Sequence, residues 1–315
     1  MLGKPALKGK KGKKKSKKST TGPDAIIGQN DQHHDAVLGL SWNKNHRNLL
    51  LSASADRTVK LWDLQTATCA HSYHHHQDKV QAVEWHPVES TMFISGGFDH
   101  ALTVLDSRSP ATSTGCRVAS DIECVRWDPH APQCFYVTTE DGMVQYMDVR
   151  KLTLTSSAAL LPAAAPLFKI QAHDSAVSAF DVNPLVKGCL VTASVDQTVK
   201  VWNINDANQP SHVLSRNLNV GQVFSVGFCP DSPFLIAAAG SAGKVTVWDA
   251  YANRGVRASF EGRPILNQKG AQVVELNATA DKEGNDLVEA VDDDCSDSEH
   301  EVENENTMAT DDEDD

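Results

Sequence analysis

The 315-residue chain has no long apolar run, no paired C-x-x-C cysteines and few aromatics, 6% in all. Each gap excludes something. With no apolar run of membrane-spanning length, no transmembrane helix is expected. No apolar h-region follows the basic residues near the start, so they do not read as a secretory leader. Seven cysteines, at 69, 116, 124, 134, 189, 229 and 295, are odd in number and scattered. That pattern argues for reduced thiols in an intracellular protein, not a disulfide framework. No stretch of residues 33–260 reads as a long amphipathic helix, which leaves strands.

Charge of one sign is missing at each end. Residues 1–20 hold nine lysines and no acid, while residues 281–315 hold 17 Asp/Glu and a single Lys. The net charge of −12 hides this split, and residues 21–280 carry only −5. One-sign charge with little apolar content predicts disorder at both ends. The expected layout is a basic disordered segment at 1–30, a folded region at 31–260 and an acidic tail at 261–315.

What is present is a repeat. SASADRTVKLWDL (52–64) returns as TASVDQTVKVWNI (192–204). Fourteen residues before the turn positions 56, 99, 141, 196 and 242 stand Trp42, Trp85, Trp127, Val182 and Phe228. The marker spacings are 43, 42, 55 and 46, and the period is that of a four-stranded propeller blade. Each marker ends an alternating strand such as VQAVEW (80–85) or VFSVGF (223–228). Pro87, Pro129, Pro184 and Pro230 follow two residues later, where a missing N–H ends the ladder. The fold class is all-β, with five recognisable blades.

The repeat carries a polar device. His33, His76 and His173 each lie 23 residues before Asp56, Asp99 and Asp196, and Ser52, Ser95 and Thr192 lie four before them. Trp62 and Trp202 follow six after two of these aspartates. These residues closely resemble WD-repeat proteins, and that resemblance implies a hydrogen-bonded network inside each blade. A buried carboxylate at a turn must be paired, and an imidazole, a hydroxyl and an indole N–H can complete the chain. Asp, His and Ser together also suggest a hydrolase triad, but the set recurs in three blades where catalysis needs one. Asp141 and Trp248 are the survivors of the device in blades three and five. Blade three has Val137 and Met147 in the hydroxyl and indole positions, so Asp141 is expected to be partly wet or paired locally. No catalytic residue, cofactor or metal is expected. HSYHHH (71–76) has no carboxylate or Cys spacing to support an ion.

Other segments carry function outside the repeat. Lys8, Lys10, Lys11, Lys13, Lys14, Lys15, Lys17 and Lys18 read as a nuclear address or a contact to nucleic-acid phosphates. No aromatic is interleaved, so base stacking is not implied. Ser296 and Ser298 have Glu299 and Glu301 three residues on, which suits an acid-directed kinase. The low-complexity run 152–168 reads as a surface loop between blades three and four. Asp106-Ser107-Arg108 and Asp148-Val149-Arg150 have the D-x-R ending of some ubiquitin-ligase substrate receptors, though the Trp before it is missing from both.

The order of features is more specific than the fold. The lysine tract, HHDAVLGLSWNKNHRNLLLSASADRTVKLWD, HQDKVQAVEWHP, TTEDGMVQYMDVR and FCPDSPFLIAAAG together resemble the periodic tryptophan protein 1 family over about residues 8–255. The resemblance implies a non-enzymatic scaffold of the nucleus and nucleolus, acting in ribosome biogenesis through rRNA transcription or pre-rRNA processing. It would dock pre-ribosomal factors or histones. Nucleic acid could be touched through the lysine tract; no membrane or small-molecule substrate is expected. Two other readings stay open: a chromatin reader that holds a histone tail against Trp42, Trp85 and Trp127, and a substrate receptor of a cullin-type ubiquitin ligase. Members of the family carry further blades before the lysine tract. The five blades are therefore expected to be an incomplete ring of a larger propeller that lacks the family's N-terminal region.

Overall fold

The computed structural model describes residues 31–155, 161–266 and 272–275. Five antiparallel sheets follow one another along the chain. Blade one is β1 (Val37–Trp42), β2 (Leu49–Ser54), β3 (Val59–Asp63) and β4 (Thr68–Tyr73). Blade two is β5 (Val80–Trp85), β6 (Met92–Gly97), β7 (Ala101–Asp106) and β8 (Ser113–Arg117), with β12 (Thr153–Thr155) added outside β8. Blade three is β9 (Ile122–Trp127), β10 (Cys134–Thr139), β11 (Met143–Asp148) and β13 (Phe168–Gln171). Blade four is β14 (Ala179–Val182), β15 (Cys189–Ala193), β16 (Thr198–Ile204) and β17 (Pro210–Asn217). Blade five has three strands, β18 (Val223–Phe228), β19 (Leu235–Gly240) and β20 (Val245–Asp249). The propeller expected from the repeat is the fold observed.

The turn between the second and third strands explains the aspartates. The residue after each one is left-handed: Arg57 (φ 69°), His100 (φ 60°), Gly142 (φ 83°) and Gln197 (φ 71°). Side chains resist that region. Asp56 Oδ1 accepts the Thr58 N–H at 3.0 Å and Asp196 Oδ1 the Thr198 N–H at 2.8 Å, which offsets the strain. At Gly142 there is also no room, because a Cβ would lie 1.9 Å from the His173 carbonyl.

The core is not one mass but a series of layers between blades. Leu51, Val59 and Leu61 of blade one meet Val83, Trp85 and Phe93 of blade two. Leu102 and Val104 meet Val125, Trp127 and Phe135. Tyr136 and Val144 meet Phe180, Val182 and Leu190. Val199 and Val201 meet Val226, Phe228 and Ile236. The innermost strands pack in sequence, β1 on β5, β5 on β9, β9 on β14 and β14 on β18. Among the described residues, no comparable packing joins β18 back to β1.

Two sequence expectations need correction. The run 152–168 is not a free loop where it is described. Thr153–Thr155 pairs with β8, Leu161 is buried on Ala101, and the Pro162 carbonyl accepts the Arg117 N–H at 2.9 Å. The open outer edge of β8 captures it. Nor does the folded region stop at 260. Helix α1 (Arg254–Phe260) buries Val256 and Phe260 in the layer between blades four and five. Beyond it, β21 (Pro264–Leu266) pairs with β22 (Gln272–Glu275). Arg263 bonds Asn203 Oδ1 at 2.6 Å and the Ile204 carbonyl at 3.1 Å, and the Leu266 N–H donates to the Leu185 carbonyl at 2.8 Å. Averaging composition over 261–315 hid this, because the dense acidic run begins only at 281. The lysine tract, Ser296, Ser298 and Cys295 lie outside the described residues.

Candidate docking surface on the blade ring

Three of the five blades hold the complete Asp–His–hydroxyl set. His33 Nδ1 lies 2.8 Å from Asp56 Oδ2, its Nε2 lies 2.6 Å from Ser52 Oγ, and the Trp62 indole donates to Ser52 Oγ at 2.7 Å. Blade four repeats it with His173 to Asp196 at 2.8 Å, His173 to Thr192 at 2.8 Å and Trp202 to Thr192 at 2.9 Å. One proton arrangement satisfies every group: Nδ1–H donates to the carboxylate, the hydroxyl donates to Nε2, and the indole donates to the hydroxyl. Burial alone would raise the Asp56 and Asp196 carboxyls. Hydrogen bonds from Thr58 and His33, and from Thr198 and His173, outweigh it and hold both below the usual carboxylate range.

Blade two finishes the chain differently. His76 Nδ1 lies 3.1 Å from both oxygens of Asp99, and its Nε2 lies 2.9 Å from Ser95 Oγ. Leu105 stands where the indole would be, and Thr103 takes over, its hydroxyl 2.9 Å from Ser95 Oγ. His75 reaches the same serine through Nε2 at 3.0 Å. The other ring nitrogen of His75 is buried without a hydrogen-bond partner among the described residues. Burial, and then the neighbouring His76, hold the His75 pKa well below the usual imidazole range. Of the other histidines in HSYHHH, His71 packs edge-on against Tyr73, and no metal-ligating cluster of three occurs among the described residues.

Two residues expected in the network stand outside it. Asp141 is exposed and accepts from Thr139 Oγ1 at 2.5 Å, paired locally because Val137 offers no hydroxyl. Trp248 is buried in the layer between blades four and five, beneath the Arg216 guanidinium. Ala238, which pairs across from Thr246 beside it, stands in the hydroxyl position.

Contacts between blades were missed by the sequence reading. In blades one, two and four the residue just before the marker takes a backbone N–H from the next blade. Ser41 Oγ accepts Trp85 N–H at 2.9 Å, Glu84 Oε2 accepts Trp127 N–H at 2.7 Å, and Asp181 Oδ2 accepts Phe228 N–H at 2.8 Å. Arg126 holds this position in blade three, where it donates to Glu84 at 3.2 Å and lies 3.9 Å from Asp181. Burial pushes the Glu84 and Asp181 carboxyls upward. In three blades the residue after the marker makes a second bridge: Asn43 donates to the Ser90 carbonyl at 2.7 Å, and His86 Nε2 lies 2.8 Å from the Pro132 carbonyl. Asn183 likewise donates to the Pro233 carbonyl. A polar residue directly after the marker strand, Asn43, His86 and Asn183, was the available signal.

These residues frame a cavity of about 300 Å³ at the channel mouth, lined by Trp42, Lys44, Glu84, Arg126, Asp181 and Phe228 among others. Trp85 and Trp127 are spent on core packing, and only Trp42 of the three marker tryptophans is open. On the outer surface, Arg108 and Arg150 fold back onto Asp106 and Asp148, each with a 2.6 Å contact.

The chain matches the WD domain, G-beta repeat family over residues 27–63, 67–106, 164–203 and 208–249. The chain belongs to the WD-repeat family. The match passes over most of blade three, one of the two blades without a complete network, yet this WD-repeat chain folds that blade all the same. It is 38% identical to an uncharacterized WD repeat-containing protein of Schizosaccharomyces pombe over 84% of this chain and 47% of that protein. It is 32% identical to periodic tryptophan protein 1 of Saccharomyces cerevisiae, over 80% of this chain and 43% of that protein. It is 31% identical to the periodic tryptophan protein 1 homolog of Drosophila melanogaster, over 74% of this chain and 47% of that protein. Among WD-repeat proteins it groups with the periodic tryptophan protein 1 family. The chain spans about half the length of these curated relatives.

Proposed function

We propose that this WD-repeat chain is a non-enzymatic scaffold of ribosome biogenesis, acting in the nucleus and nucleolus by docking protein partners. The observation that carries the scaffold reading is the capping of every complete Asp–His–hydroxyl set. Ser52 and Thr192 each receive an indole N–H and are buried, so neither hydroxyl has a face open to a substrate. The ribosomal setting rests on the similarity to periodic tryptophan protein 1. The lysine tract at 8–18 serves as the nuclear address and as a contact to rRNA or rDNA phosphates. Ser296 and Ser298 are substrates of an acid-directed kinase. Pre-ribosomal factors are the expected partners, and histones are secondary ones.

The test is affinity purification of the tagged chain from nuclear extract, paired with depletion in cells and gel analysis of pre-rRNA. Pre-ribosomal factors in the eluate and accumulated pre-rRNA intermediates are the expected outcome. Nucleosomes or a cullin adaptor as the main companions, with pre-rRNA unchanged, would replace this reading.

A further inference from the structure

Among the described residues, the outer strands of blades one, three and four, β4, β13 and β17, pair on one side only, whereas β8 of blade two takes β12 on its outer edge. The register is Thr153 with Gly115, Leu154 with Thr114 and Thr155 with Ser113. The chain meets the same edge again at 161–163. There the Arg117 N–H donates to the Pro162 carbonyl at 2.9 Å, Arg117 bridges Ala163 as a parallel partner, and Leu161 is buried on Ala101. Blades one and three pack against the two faces of blade two, so this edge belongs to a blade inside the series.

The seat for Leu161 is made by small residues that the other blades do not share. Thr103 and Gly115 pair across β7 and β8. Their counterparts are Lys60 with Ser72 in blade one, Gln145 with Lys169 in blade three and Lys200 with Ser215 in blade four. Ala101 lies two residues before Thr103 and so on the same face, where blade three carries Met143. A Cβ on Gly115 would lie 3.0 Å from Leu161 Cδ1, tighter than ordinary packing, so the glycine is what lets the leucine approach. Blade two therefore offers two things together: a strand edge that accepts an extended backbone and a slot beside it that accepts one branched side chain.

We propose that the outer edge of blade two is a docking groove for an extended partner peptide that carries a leucine followed by a proline, and that residues 153–155 and 161–163 of this chain hold it in cis. The seated segment shows the chemistry that fits. Leucine fills the slot at Ala101 and Gly115, and proline, with its fixed φ, keeps the backbone extended while its carbonyl takes the Arg117 N–H. The same segment is lightly held. Leu161 is its one buried side chain among the described residues; Leu154 is 70% exposed, and Thr153, Pro162 and Ala163 are exposed. The rest of the hold is backbone pairing, which reads no side chain and serves any extended segment. The edge itself does not depend on its occupant, because β8 is paired with β7 from Ser113 to Arg117. A partner must displace a tethered competitor, so docking in trans is weakened by the cis segment and strengthened by whatever releases it. The groove is independent of the ribosomal setting and of the cavity at the channel mouth.

The experiment uses the 315-residue chain and its Leu161→Ser variant, with amide hydrogen exchange of the Ser113–Arg117 segment read by mass spectrometry. Leu161→Ser frees the slot without altering its walls. Exchange at that segment should rise about tenfold while the far-UV circular dichroism stays unchanged. A synthetic peptide copying residues 151–166, added up to millimolar, should restore the protection. The same peptide with Leu161→Asp, or with its sequence scrambled, should not. By fluorescence anisotropy the labelled peptide should bind the variant about tenfold more tightly than the wild-type chain, whose slot is filled. Adding Ala101→Met to the variant gives blade two the residue that blade three carries there and should abolish docking. The proposal is overturned if Leu161→Ser leaves the exchange unchanged, or if the peptide fails to restore protection. It is equally overturned if the scrambled peptide does as well, if wild type and variant bind the peptide alike, or if docking ignores Ala101→Met.

Discussion

The Trp62 indole N–H donates to the Ser52 hydroxyl at 2.7 Å, and the same oxygen lies 2.6 Å from His33 Nε2. The geometry separates a brace from a catalytic triad. A nucleophilic serine must present its oxygen to a carbonyl while histidine takes the proton. Ser52 spends its acceptor capacity on an indole inside a closed core, and Thr192 does the same with Trp202 at 2.9 Å. Both hydroxyls are buried. The repeated set therefore stiffens blades and holds their turns.

Asp56→Ala removes the acceptor for His33, Thr58 and the His34 N–H together. The expected loss is about 1–3 kcal/mol, the usual cost of leaving such groups unpaired. Asp141→Ala, at an exposed site with one local partner, should change stability by no more than about 0.5 kcal/mol. Urea melts of the two variants beside the wild type check the contrast, and equal losses would show that the His–Asp bond carries no special weight.

Acid should weaken the fold in two stages. His75 and His173 have pKa values held below the usual imidazole range, chiefly by burial. Below about pH 6.5 the unfolded chain binds a proton at each before the folded chain does, so stability is full above that value and falls as pH drops. Asp99 and Asp196, held below the carboxylate range, add a further loss below about pH 4. Glu84 and Asp181, raised by burial, act with the opposite sign and soften the middle of the range. His75→Gln keeps a donor for Ser95 and removes the titrating ring. Urea midpoints at pH 7.5, 6.0 and 5.0 should fall less steeply in this variant than in the wild type. An unchanged slope would show that His75 does not titrate with folding.

Residues 1–25, fused to a fluorescent reporter, should carry it into the nucleus, on the strength of nine lysines in the first 20 positions. Imaging decides this, and a reporter spread evenly through the cell would remove the address while leaving phosphate contact open to a salt-dependent binding assay.

The strands and the His–Asp offsets were legible because each lies within one repeat, where period-2 alternation and a fixed spacing leave a trace. Thr103 was not, since it replaces the missing indole from the cross-strand position of Ser95 and not from the indole's own place. The Ser41, Glu84 and Asp181 clasp was hidden for another reason. Each bond joins residues more than 40 apart in consecutive blades, and a single repeat does not reveal what its neighbour presents. The hairpin at 264–275 was lost in the average composition of the acidic end. The exposure of Leu40 and Trp42 against their buried counterparts could be read only from the structure.

The central structural claim is that five WD-repeat blades are joined by four buried layers, with no such layer between blades five and one among the described residues. Hydroxyl-radical footprinting of the dilute 315-residue chain, read by mass spectrometry, measures it most directly. Trp42 and Leu40 should oxidise rapidly, while Trp85, Trp127, Trp202 and Trp248, all buried, stay protected. Protection of Trp42 equal to that of Trp85 would contradict the account and show that the five blades close.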